Sequence, residues 1–96
     1  MKDWIFSFSA EKNAQLIARR GISFEKIINA IENDGVLDVL EHPNKEKYPK
    51  QKIYVVKWNG YAYLVPFVDE GKNIFLKTAF PDRKATKHYL THRGVK

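Results

Sequence analysis

The chain has 96 residues, enough for one hydrophobic core and too few for two, so the whole of 1–96 reads as a single domain. A hydrophobic fraction of 44% excludes a disordered tail, and the absence of cysteine excludes disulfide frameworks and thiolate chemistry. Lys plus Arg number 17 against 11 Asp plus Glu, a formal charge of +6 that suits a polyanion or an acidic protein partner. No apolar stretch is long enough for a signal peptide or a bilayer span, so a cytoplasmic chain with no membrane partner is expected.

The stretch WIFSF (residues 4–8) reads as a short strand-like entry. Ser9 is a helix N-cap, and the helix runs through Arg19 with a weakly apolar stripe of Ala10, Ala14, Ile17 and Ala18, ending at Gly21. Ser23 caps a second helix, whose Phe24, Ile27, Ile28 and Ile31 form a stronger apolar face that stops near Gly35. Only the turn RGIS separates the two, which predicts a helical hairpin or elbow. The pattern then alternates. VLDVLEH is a first sheet strand, followed by the polar loop PNKEKYPK. QKIYVVKW and YAYLVPFV flank Asn59-Gly60, the strongest hairpin signal in the chain. DEGK is a second turn and NIFLKTAF the last strand; Pro81 ends the sheet, and Asp82 caps a closing helix. The expected fold is α+β: two N-terminal helices packed on a four-stranded, largely antiparallel sheet, with a short C-terminal helix.

The Asn-Gly turn also sets a register. If Trp58 pairs with Tyr61, one face carries Tyr54, Val56, Trp58, Tyr61, Tyr63, Val65 and Phe67. The other carries Ile53, Val55, Lys57, Ala62, Leu64 and Pro66, a small aliphatic bed on which the two helices are expected to lie. Pro66 cannot donate to a ladder, so a bulge or widened pairing is expected there.

The closing segment FPDRKATKHYL raises a question of charge. Arg83 and Lys84 stand in the first turn of its helix, where a cation costs about 0.3–1 kcal/mol against the helix dipole. A bound phosphate would reverse that sign, because free N–H groups, dipole and both cations would then face one anion. A solvated basic tail is the alternative. Lys77 interrupts an otherwise apolar strand shortly before, and either snorkels at its edge or faces an anion. His42 in EHPN and His88 beside Tyr89 are candidates for proton transfer near neutral pH. His88 and His92 have i, i+4 spacing, but no third ligand completes a metal motif, so neither metal nor other cofactor is expected.

In order and spacing, RRGISFEKI, EHPN, KYPKQ, YLVPFV, IFLKT and PDRKATKHYL resemble the BrnT-like toxins of bacterial type II toxin–antitoxin pairs, within the RelE/ParE-like superfamily, or a sister family. The resemblance covers Ser9 to Leu90. Asp82 departs from it, standing where similar sequences often carry serine. What it implies is a metal-independent ribonuclease that inhibits translation and is neutralised by a cognate antitoxin, commonly a ribbon-helix-helix protein. By position, Lys77, Arg83, Lys84 and Tyr89 match the phosphate-holding and catalytic residues of that superfamily, with His42 and His88 to move protons. On that reading Tyr54 and Tyr63 of the hairpin stack on unpaired RNA bases, and Lys57 and Lys87 add to the grip. Two other readings stay open: a binding module for nucleic acid or protein without catalysis, and a gyrase-directed ParE-like toxin.

Overall fold

The computed structural model describes residues 4–91. Strand β1 (Ile5–Phe8) leads into helix α1 (Ala10–Arg20), then α2 (Phe24–Glu32), and then four strands: β2 (Val36–Glu41), β3 (Gln51–Trp58), β4 (Tyr61–Glu70) and β5 (Asn73–Leu76). A two-residue strand β6 (Phe80–Pro81) and helix α3 (Arg83–Thr86) complete the order, and α3 runs on into a π-helical turn, Lys87–Thr91.

The α+β class holds, but the sheet has six strands rather than four and is mixed. Its order is β1-β5-β4-β3-β2, with β6 paired to β4. β1 is an edge strand parallel to β5, with Ile5 opposite Asn73. The expected last strand breaks in two: β5 stops at Leu76, residues 77–79 leave the ladder, and Phe80 rejoins it opposite Leu64.

Local signals explain the helices. The Ser9 hydroxyl accepts from the Lys12 N–H and the Ser23 hydroxyl from the Lys26 N–H, each satisfying a donor at an otherwise open N-terminus. Between them Asn13 fastens the elbow. Its Oδ1 accepts from the Phe24 N–H at 2.7 Å, and its Nδ2 donates to Glu25 Oε1 at 3.1 Å. Gly35 sits where a side chain has no room, since a Cβ there would lie 2.5 Å from the Ala30 carbonyl oxygen.

The hairpin register is as expected, Trp58 opposite Tyr61, because Asn59 and Gly60 both take positive φ, the pair a type I′ turn requires. The layering is not. The two N-terminal helices lie on the tyrosine face: Leu16, Ile22, Phe24, Ile27 and Ile31 pack against Tyr54, Val56, Tyr63, Val65 and Phe67. Aromatic rings bury the most surface, so the larger apolar cover goes there. Ring stacking adds to it, Phe8 on Phe24 at 4.9 Å and Tyr54 on Phe67 at 4.0 Å between centroids. The small aliphatic face is covered by α3 instead, where Ala85, Tyr89 and Leu90 meet Val55, Ala62, Leu64 and Leu37. The molecule therefore has helices on both faces of the sheet.

The widened pairing expected at Pro66 is present on its β5–β6 side, where Val65 and Pro66 of β4 face the three residues 77–79 and the register shifts by one. On the other side the β3–β4 register runs through it without a shift, Ile53 opposite Pro66, and a separate irregularity lies in β2 between Val36 and Asp38. The Pro66 carbonyl accepts from the Lys77 N–H, so its main-chain groups face the side where β5 has left and β6 has not begun. A missing N–H costs no ladder bond in that gap.

Candidate nucleic-acid interface

α3 is pinned to the sheet by two residues. The Asp82 carboxylate turns inward and accepts from the Ala85 N–H at 2.8 Å, while its carbonyl accepts from the Thr86 N–H and hydroxyl. The Thr86 hydroxyl in turn accepts from the N–H of fully buried Ala62 at 3.0 Å, and the Ala62 carbonyl accepts from the Asp82 N–H at 3.0 Å. Asp82 thus offsets the charge conflict posed by Arg83 and Lys84, supplying the negative charge that the dipole favours at that end. The helix is a single turn whose cap is filled from within.

The π turn positions the residues immediately after α3. Widening the helix brings Tyr89 and Leu90 side by side onto the sheet. The Tyr89 hydroxyl donates to Asp38 Oδ2 at 2.6 Å, and Asp38 Oδ1 accepts from the Val39 N–H at 2.8 Å. The bulge in β2 places Asp38 for this, since Leu37 packs on the α3 layer next to it. Tyr89's hydrogen bond holds the Asp38 carboxyl below its ordinary value, helped by the Val39 N–H and by charge on His88. The same bond raises Tyr89, so the phenol keeps its proton at neutral pH and is no base. His88 is exposed, its ring edge-on to Tyr89 at 4.6 Å.

Around this anchored turn the structure gathers part of the sequence-derived set. Arg83, Lys84, Lys87 and His88 are all exposed on α3 and its extension. Exposed Lys57 pairs with Ala62 on the same sheet face and at the same level. A cleft of about 170 Å³ lies between Tyr61, Pro81, Asp82 and Arg83. Tyr61 is 53% exposed and lines that cleft with Arg83. Sequence reasoning missed it as a site residue; its place next to the Asn-Gly turn, where the sheet and its helices end, was the available signal.

The rest of that set lies elsewhere. Tyr54 and Tyr63, expected to stack on bases, are only 3% and 7% exposed and lie beneath α1 and α2. Burial pushes the Tyr54 phenol up to about 12, with the Asp69 charge adding to the effect. Lys77 does not join Arg83 and Lys84. Its ammonium donates to Gln51 Oε1 at 3.2 Å, and Gln51 is six residues along β3 from Lys57, about 20 Å at the rise of a strand. His42 stands at that same far end. Its main-chain N–H donates to the Gln51 carbonyl, its ring lies 4.6 Å from Tyr48, and its Nδ1 accepts from the Asn44 N–H at 2.9 Å. That contact fixes the tautomer with hydrogen on Nε2. His92 lies outside the described residues. Among those residues no group of three or more His, Asp and Glu side chains is placed to hold a metal ion, and no helix is long and apolar enough to cross a membrane.

Chemically, the α3 end offers two exposed cations on an anchored turn for a phosphate, an exposed imidazole for proton transfer, and a wet aromatic ring for a base. Comparison with protein-family models and with curated proteins finds nothing that matches the chain.

Proposed function

We propose that this chain is the toxin of a bacterial type II toxin–antitoxin pair, a BrnT-like, RelE-like cytoplasmic ribonuclease that works without metal and inhibits translation. The observation that carries the reading is the α3 end: Arg83 and Lys84 are exposed on a turn locked to β4, and Arg83 shares a cleft with exposed Tyr61. Arg83 and Lys84 neutralise the scissile phosphodiester, Lys57 and Lys87 extend the positive field, and Tyr61 stacks on a neighbouring base. His88 takes the proton of the 2′-hydroxyl as its oxygen bonds to phosphorus, the P–O5′ bond breaks, and water protonates the departing 5′-oxygen; Tyr89, whose phenol stays protonated, orients the imidazole from the side. The partner is an antitoxin whose acidic segment competes for the same cations. Expressing the chain alone and mapping RNA ends tests this. Growth arrest with new ends is expected, and Arg83→Ala should lower cleavage at least about tenfold, the effect of about 1.4 kcal/mol of transition-state stabilisation. Unchanged cleavage in that variant removes the assignment.

One observation favours a second reading. Tyr89 is already committed to Asp38, and Lys77 and His42 lie at the other end of the sheet, which leaves His88 as the exposed proton shuttle beside Arg83 and Lys84. A module that binds RNA without cutting it needs no more than that, and would yield salt-sensitive binding and no product.

A further inference from the structure

A second basic cleft lies on the other side of the β5–β6 connection. Lys12, Gln15, Arg19 and Arg20 of α1 form one wall, and residues 78–80, from Thr78 to Phe80, form the other, enclosing about 100 Å³. That space holds several waters, and therefore a phosphate group. Among the described residues, every side chain reaching it is cationic, neutral-polar or apolar, and no carboxylate borders it. The two side-chain ion pairs among those residues, Lys45–Glu41 and Lys52–Asp69, involve none of these cations.

Helix electrostatics accounts for half of this arrangement. Arg19 and Arg20 stand in the last turn of α1, where cations are favoured. Lys12 stands in the first turn, where they are not, and it shares the cleft face with Gln15 and Arg19 at i, i+3 and i+7. The position of the cleft supplies the rest. Phe80 borders this cleft, while its neighbours Pro81, Asp82 and Arg83 border the one beside Tyr61. The two openings succeed one another along a single extended segment, with cations at both ends of it.

We propose that the α1 cleft is a second phosphate subsite, binding the sugar–phosphate backbone of a single-stranded RNA that also crosses the α3 end. Lys12 and Arg19 contact a phosphate, Gln15 and the Thr78 hydroxyl donate to its oxygens, and the chain then passes along Phe80 and Pro81 toward Arg83. The RNA part of this rests on the proposed ribonuclease function; the phosphate site itself does not depend on catalysis.

The test is binding of a 2′-O-methyl oligonucleotide, which cannot be cut by 2′-hydroxyl attack, to the full chain over a range of salt. Lys12→Gln with Arg19→Gln removes two charge-assisted contacts to that phosphate and should weaken binding at least about tenfold, and it should reduce the slope of log affinity against log salt by about 0.7 per phosphate released. The same charge loss in the loop, Lys47→Gln with Lys50→Gln, controls for net charge and should have a clearly smaller effect. Gln15→Lys should tighten binding, a gain that misfolding cannot mimic. Unchanged affinity and slope in the α1 variants, with weakening in Arg83→Gln, overturns the subsite and leaves the α3 reading standing. Weakening in the α1 variants with no RNA cleavage by the unaltered chain upholds the subsite while the ribonuclease reading falls. Equal weakening in the loop control also overturns the proposal, since bulk charge would then explain it.

Discussion

Thr86→Val tests the attachment of α3 to the sheet. The side chain keeps its shape and loses its hydroxyl. In the native chain that hydroxyl accepts from the Ala62 N–H at 3.0 Å and donates to the Asp82 carbonyl at 2.8 Å. The Asp82 carbonyl still accepts from the Thr86 N–H after the change, so it is not orphaned. The Ala62 N–H is, because the residue is fully buried and its main chain faces α3. An unsatisfied buried donor costs about 1–3 kcal/mol. At about 2 kcal/mol, a domain of this size should melt about 8–16 °C lower. Thr86→Ser keeps the hydroxyl and should stay within about 1 kcal/mol of the parent, the worth of one methyl group. Urea and thermal melts of the three proteins give the comparison, and amide exchange at Ala62 should quicken in the valine variant alone. If valine and serine variants melt together, the hydroxyl does not hold the turn, and Arg83 and Lys84 lose their fixed seat.

Two further expectations concern the core and the acid limb. Phe24 is fully buried and stacked on Phe8, so Phe24→Ala should cost about 3–5 kcal/mol. That is a large share of the roughly 5–14 kcal/mol expected for a chain this long, and a denaturant midpoint close to the parent's would contradict that packing. Asp38 has a folded-state carboxyl below its ordinary 3.8, so it contributes stability that is present above that value and lost as pH falls through the lower one. Tyr89→Phe removes the largest cause of the depression. Its Asp38 should titrate higher by NMR, and its stability should fall less as the pH drops below about 4; an unmoved Asp38 would refute the link.

What could be read in the sequence was what short-range chemistry decides. Ser9, Gly21 and Ser23 act within one helical turn, and Asn59-Gly60 sets both a turn and the register of the strands it joins. The choice of sheet face was misread because it depends on a competition between layers. Tyrosines look amphipathic along the chain, yet Tyr54 and Tyr63 bury their rings once Phe24 and Ile27 offer a larger surface than α3 can. β1 carries no turn signal toward β5, since its pairing is parallel and remote. The site divides in the same way. Arg83 and Lys84 were legible from their place after Asp82, whereas the Asp38–Tyr89 bond joins positions 51 residues apart and needs a bulge to form. Lys77 fell away from the set because β5 ends one residue before it and its ammonium turns to Gln51.

The pairing of β1 with β5 has a consequence during synthesis. β1 leaves the ribosome well before residues 73–76 and must wait for them, the partner it will lie against. Closing that span instead of a two-residue turn costs about 3 kcal/mol more in chain entropy, at about 0.6 kcal/mol per doubling of length. That edge is therefore late to zip shut and early to peel away, whether a protease probes it or a pulling force is applied to β1.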